Sequence, residues 1–117
     1  MATANTNITK TLNKLWDRGG VATLVKTYHS GNSWYRKYSD GFIEQGGRLL
    51  STNKTVTYPL SFQTSYNSVQ ATISCTVSGA TGYVQILEPK TTTFFIRVLT
   101  RTGATADDPA DWYACGY

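Results

Sequence analysis

Apolar and polar residues follow two different periods along this chain. In "MATANTNITKTLNKLWDR", residues 1–18, Leu12, Leu15 and Trp16 follow Ile8 at offsets of four, seven and eight, which is the spacing of one helix face. The pair Gly19 and Gly20 ends the pattern. The spacing predicts a short amphipathic helix. Ile8, Leu12 and Leu15 also suit successive d, a and d positions of a heptad, so the segment reads either as the last turns of an oligomeric coiled stem or as an arm packed on its own domain.

From Val21 onward the period falls to two. "VATLVKTYHSG" predicts a strand with both faces apolar in places, and "WYRKYSDGFIEQGGRLL" predicts a hairpin, because Asp-Gly suits a two-residue turn with positive φ. In "TVTYPLSF", Val56, Tyr58, Leu60 and Phe62 share one face, and Pro59 marks an edge or a strand end. "VQATISCTV" alternates, with Val69, Ala71, Ile73, Cys75 and Val77 on one side. "YVQILEP", "TTTFFIRVLTR" and "DWYACGY" bring the total to about seven or eight strands, broken by "SGATG" and "RTGATADDPAD". No segment after residue 20 has a helical period. Short strands at this spacing predict an all-β fold, an antiparallel β-sandwich over residues 21–117, with residues 1–20 as a stem or linker.

Composition supports that fold and narrows the chemistry. At 117 residues the chain holds one core and is small enough for self-association to add useful burial. Charged residues make up 15% and aromatics 13%, a balance suited to strands and turns. A formal charge of +4 favours acidic partners, yet only Arg36 and Lys37 lie side by side as basic residues. Without a basic run or a recognition helix, nucleic acid is not expected as a partner. Cys75 and Cys115 form no C-x-x-C pattern, which argues against zinc, and the alternation of its strand makes Cys75 a core thiol. "MATANTNITK" lacks the apolar core of a signal peptide and no run reaches transmembrane length. The expectation is therefore a protein made in the cytoplasm, with reduced thiols and no membrane insertion.

Candidate chemistry is sparse. A glycan-cleaving enzyme needs two carboxylates facing each other across a sugar, about 5 to 10 Å apart. Among the seven carboxylates only Asp107, Asp108 and Asp111 cluster in sequence, and "ADDPAD" lacks the spaced oxygen ligands of a calcium loop. His29 is the single histidine, and no Ser-His-Asp order forms around it. Neither catalysis nor a cofactor is expected. Glycan binding asks less, namely exposed aromatic faces and planar polar groups on loops. The loops offer Tyr66 and Asn67, then Tyr83, then Arg101, Asp107 and Asp108, and Tyr113 faces away from Trp112. Each tyrosine, like Trp34, also suits a half-buried strand or rim position. Glu44 and Gln45 fall on opposite faces of one strand, so one must point inward. A neutral amide is cheaper to bury than a charge, so Gln45 is expected to bond backbone groups on the inner or an intersubunit face.

One ordered set of elements resembles the C-terminal domain of phage tail fibres over roughly residues 21–117. The positions that carry the resemblance are Tyr35, Tyr38, Gly41, Phe42, Ile43, Gln45 and Gly46, then Pro59 and Phe62, then Phe95, and finally Trp112, Ala114 and Gly116. The resemblance implies a β-sandwich assembled as a homotrimer at the tip of a fibre. It further implies a virion component, made in the host bacterial cytoplasm, that joins the rest of the tail fibre and recognises a bacterial surface glycan or outer-membrane protein. Trp112 and Ala114 are then expected in the core or at a three-fold interface, with "LLSTNKTVTY" and "DWYACGY" supplying intersubunit contacts. Fibre tips diversify with host, so the resemblance assigns no binding residues. Two other roles stay open: a trimerisation or capping module without a ligand of its own, and a glycan-degrading tailspike enzyme.

Overall fold

The computed structural model describes residues 22–65, 67–74 and 81–117. The helix expected within residues 1–18, and with it Tyr66, Cys75 and Val77, lies outside the described residues. Every regular element among the described residues is a strand: β1 (Leu24–Ser30), β2 (Ser33–Tyr38), β3 (Ile43–Leu49), β4 (Lys54–Thr57), β5 (Asn67–Ile73), β6 (Thr81–Leu87), β7 (Thr93–Thr100), β8 (Thr105–Ala106) and β9 (Ala110–Gly116). They form two antiparallel sheets, one in the order β1-β2-β3-β9-β5 and one in the order β4-β7-β6. The short β8 pairs with Val98 and Leu99 of β7, beyond the stretch that β4 covers. The all-β sandwich read from the period-two pattern is the observed architecture.

The β2–β3 hairpin forms as expected, but its turn is longer than an Asp-Gly pair. Tyr38 N–H donates to Phe42 C=O at 2.8 Å and Gly41 N–H donates to Tyr38 C=O at 3.0 Å, enclosing a loop of Ser39, Asp40 and Gly41. Only Gly41 has positive φ, at 91°, while the Asp40 carboxylate accepts from Phe42 N–H at 3.0 Å. A two-residue turn needs the left-handed region at both central residues. Asp40 holds the turn through its side chain, and the third residue supplies the twist-matching bulge.

Between the sheets, Ile43, Ala110, Trp112 and Ala114 from the first meet Val56, Phe94 and Ile96 from the second. Tyr58 and Phe62, just past the end of β4, complete an aromatic cluster. Tyr58 lies 5.0 Å from Phe62, 5.3 Å from Phe94 and 5.9 Å from Trp112 between ring centroids. Rings at such tilted separations add attraction beyond their buried area. Trp112 and Ala114 are thus core residues of the single chain.

Gln45 is wholly buried on this inner face. Its Nε2 donates to the Leu60 carbonyl at 2.8 Å and its Oε1 accepts from Leu60 N–H at 2.9 Å. The amide side chain replaces a ladder partner for the segment after Pro59, where no strand continues, and so satisfies backbone groups that burial would otherwise leave unpaired. A charged neighbour in that place would carry a large desolvation cost, which is why Glu44 takes the other face.

The β1–β2 hairpin extends past this core. All seven residues of β1 are exposed, with Leu24 at 49%, Val25 at 57% and Tyr28 at 44%. The Tyr28 ring stacks on Tyr35 at 5.1 Å, and Lys26 Nζ lies 5.8 Å from the same ring.

Candidate functional site

The outer face of the five-stranded sheet brings Trp34, Arg36, Glu44, Arg48, Asp111 and Tyr113 into one area. Directly paired residues of antiparallel strands share a face, and alternate residues along a strand return to it. One row across the sheet runs His29, Trp34, Gly46, Tyr113 and Gln70, and the next runs Thr27, Arg36, Glu44, Cys115 and Ser68. On the other side of the first row, Arg48 lies opposite Asp111.

Gly46 makes the centre of this face possible. A Cβ at that position would come within 2.6 Å of the Trp112 carbonyl oxygen and 3.0 Å of the Trp34 ring. With no side chain there, the Trp34 indole settles against the β3 backbone and approaches Tyr113 at 6.2 Å between centroids. Arg36 Cζ lies 5.7 Å from the Trp34 ring on the same strand, within cation–π range.

Glu44 ties the neighbouring side chains together. It accepts from the Tyr38 hydroxyl at 2.8 Å and from the Tyr113 hydroxyl at 3.0 Å, and Arg36 Nη1 lies 3.5 Å away. Partial burial pushes the Glu44 carboxyl up. Hydrogen bonds from Tyr38, Tyr113 and Arg36, together with the Arg36 charge, outweigh it and hold the group below the usual carboxylate range. The reciprocal effect raises both phenols. Tyr113 is pushed up to about 12, by burial first and then by its hydrogen bond to Glu44, and Tyr38 rises through its hydrogen bond to Glu44. Both hydroxyls therefore remain donors well above neutral pH.

A second polar unit lies beside this network. Arg48 donates from Nε and Nη2 to the two carboxylate oxygens of Asp111, at 2.8 and 3.1 Å. The hydrogen bonds and charge of Arg48 hold the Asp111 carboxyl below its usual range against a smaller effect of burial. A bidentate fork is geometrically fixed in a way that a lysine pair is not. This pair, His29, Trp34 and the Gly31–Asn32 turn line an open hollow of about 390 Å³.

The residues expected to bind ligand are spread over the molecule. Tyr66 lies outside the described residues. Asn67 opens β5, and its Nδ2 donates to the Lys90 carbonyl at 3.2 Å. Tyr83 is exposed, but it stands on β6 opposite Leu99 rather than in a loop. Arg101 is exposed in the turn after β7. Asp107 accepts from Thr52 N–H at 2.9 Å, and Asp108 is buried while its carbonyl accepts from the Thr52 hydroxyl at 3.0 Å. These two aspartates fasten the β3–β4 connection to the segment before β9. Among the described residues, no three His, Cys, Asp or Glu side chains come together as a metal site.

Tyr113 alone of that set joins the outer-face group, 36% exposed. Its companions Trp34, Arg36, Glu44, Arg48 and Asp111 stand on strands, outside the loops in which sequence composition points to glycan contacts. The available signal was parity: Trp34 and Arg36, Glu44 and Arg48, and Asp111 and Tyr113 are each separated by an even number of positions on one strand.

Comparison with known proteins adds a family and a fold. A family model described as "Putative tail fiber protein gp53-like, C-terminal" matches residues 37–117. An N-truncated R2-type pyocin tail fibre aligns with a TM-score of 0.61 and 24% identity, over 83% of this chain and 38% of that one. A C-terminal fragment of the P. aeruginosa R2 pyocin fibre aligns with a TM-score of 0.60 and 24% identity, over 83% of this chain and 26% of that one. An N-truncated R1-type pyocin tail fibre gives a TM-score of 0.60 at 15% identity, over 91% of this chain and 95% of that one. The chain thus spans well under half the length of the two R2 fibres. Identities at this level show a shared fold. No curated protein matches the chain.

Proposed function

The chain belongs to the gp53-like family of tail fibre C-terminal domains, and from that premise we propose that it is the receptor-binding tip of a phage or phage-like particle's tail fibre. Its target is the host bacterial surface, through a polysaccharide or lipopolysaccharide. The observation that carries this reading is the outer sheet face, where Arg36 and Tyr113 are held by Glu44 and the partly exposed Trp34 indole rests against Gly46 beside Tyr113. Such a face combines flat apolar surface with fixed hydrogen-bonding groups, the two requirements of glycan recognition. Binding, not catalysis, is the activity assigned.

The test is adhesion of the fluorescently labelled full chain to a panel of Gram-negative cells, before and after periodate oxidation of surface glycans. Adhesion that periodate abolishes is expected. Adhesion to no cell type removes the reading, and adhesion that survives oxidation moves the target to an outer-membrane protein.

A homotrimer forms part of the same proposal. Leu24, Val25 and Tyr28 expose large apolar area on a strand that has no second ladder neighbour among the described residues, and a second copy would cover both. Light scattering coupled to size exclusion should give about three times the chain mass of 12.9 kDa. A trimer that adheres to nothing would favour a capping module that ends a fibre without a ligand of its own.

A further inference from the structure

We infer that the hollow between Trp34 and the Arg48–Asp111 pair is a subsite for one neutral pyranose ring of a surface glycan. This rests on the adhesion reading and narrows it to a place and a ligand class. The hollow measures about 390 Å³, within the range of small-ligand sites. One wall is the Trp34 indole, fixed against Gly46 by the close approach that a side chain there would prevent. A flat ring of that kind matches the C–H face of a sugar, which is its apolar side.

Beside the indole, the Arg48–Asp111 pair places a donor and an acceptor side by side in fixed geometry. Arg48 and Asp111 are locked together through two hydrogen bonds at 2.8 and 3.1 Å, and both side chains are about half exposed. Each Asp111 oxygen accepts one of those bonds and has a further lone pair for a ligand hydroxyl. Neighbouring hydroxyls on a pyranose both donate and accept, so a paired acceptor and cation presents complementary groups at the spacing of a vicinal diol. The two charges cancel, and a ligand phosphate or carboxylate placed there would face the Asp111 carboxylate. That selects for neutral sugars over anionic ones. His29, opposite Trp34 in the β1–β2 register, also lines the depression, and a neutral imidazole offers one donor and one acceptor.

The experiment is a titration of the isotopically labelled full chain by NMR with four neutral probes, the methyl glycosides of glucose, galactose, mannose and N-acetylglucosamine. Glucuronic acid and glucose 6-phosphate serve as anionic comparators. At least one neutral glycoside is expected to shift the Trp34 indole N–H together with the Arg48 and Asp111 amides at millimolar concentration. Trp34→Ala should weaken that binding about tenfold, and Asp111→Asn, which keeps the shape of the side chain, by about threefold or more. The inference is overturned if no neutral glycoside moves those signals, if only the anionic sugars do, or if Asp111→Asn binds as tightly as the native chain. Cell adhesion of the same variants separates the two levels. A native chain that adheres while both variants adhere equally well removes the subsite and leaves the adhesion reading standing. A native chain that takes up glycoside at Trp34 but adheres to no cell keeps the sugar site and removes the adhesion reading.

Discussion

Strands β1 and β9 are seven residues each and lie in the same sheet, yet β1 is exposed at every position while β9 alternates buried with accessible residues. Both pair antiparallel over most of their length, β1 with β2 alone among the described residues and β9 with β3 and β5 on either edge. The difference shows that ladder pairing by itself hides little. What buries β9 is the second sheet, whose Phe94 meets Trp112 at 5.2 Å between centroids. An edge strand outside that overlap keeps its hydrogen bonds to one neighbour and leaves its side chains in water.

The contrast is broken most severely from the buried side. Trp112→Ala should remove about 3–5 kcal/mol and leave little folded protein, read as loss of a cooperative transition in urea. Gln45→Leu should cost about 2–3 kcal/mol, because the N–H and C=O of Leu60 both lose their partner, and the urea midpoint should fall accordingly. An unchanged midpoint would mean that the segment after Pro59 satisfies itself another way. Tyr58→Phe should act in the opposite direction. The Tyr58 hydroxyl is buried without a protein partner among the described residues, and burial pushes it up to about 12. Removing it should raise the thermal midpoint, with a gain of about 1 kcal/mol.

The outer face of the same strands is sharpened by pH. The Glu44 carboxyl is held below its usual range, so its contribution to stability is present above the pKa of the unfolded chain and is lost as pH falls through the depressed folded value. Tyr113 behaves conversely, contributing below the usual 10.0 and losing that contribution as pH rises through about 12. Glu44→Gln should therefore flatten both limbs of a melting profile, the acid limb because no carboxylate remains to be protonated and the alkaline limb because Tyr113 and Tyr38 lose the charge that raises them. The smallest effect on folding is expected at β1. Leu24→Ser with Tyr28→Ser should change the stability of the folded chain by only about 0.5 kcal/mol per site, while the solution mass falls from trimer toward monomer if β1 is the assembly edge.

Much of the fold was legible because the inner and outer faces differ sharply in polarity. Val56, Tyr58 and Phe62 announced a buried face, Pro59 announced a strand end, and Gln45 was placed inward by the relative cost of burying an amide and a charge. The turn is longer than the Asp-Gly pair predicts, because Asp40 stabilises its loop by a side-chain bond that composition does not reveal. The candidate site was less legible for a different reason. Trp34, Glu44 and Tyr113 come together only through the pairing of β2 with β3 and β3 with β9, and no local pattern states which strands are neighbours. Asp108 reads in the sequence as part of a solvated acidic turn, but Thr52 and the neighbouring chain enclose it.

The insertion of β9 between β3 and β5 also sets the order in which the protein can be built. Glu44 and Tyr113, joined across that seam, are 69 positions apart. Strands β3 and β5 have no ladder with each other, so until β9 arrives β3 is paired on its β2 side alone and β5 has no ladder partner among the described residues. Closing such long loops before any contact rewards them makes folding slow. During synthesis, the nascent chain would present two open edges of the future sheet to its surroundings until the segment from Ala110 to Gly116 emerges from the ribosome.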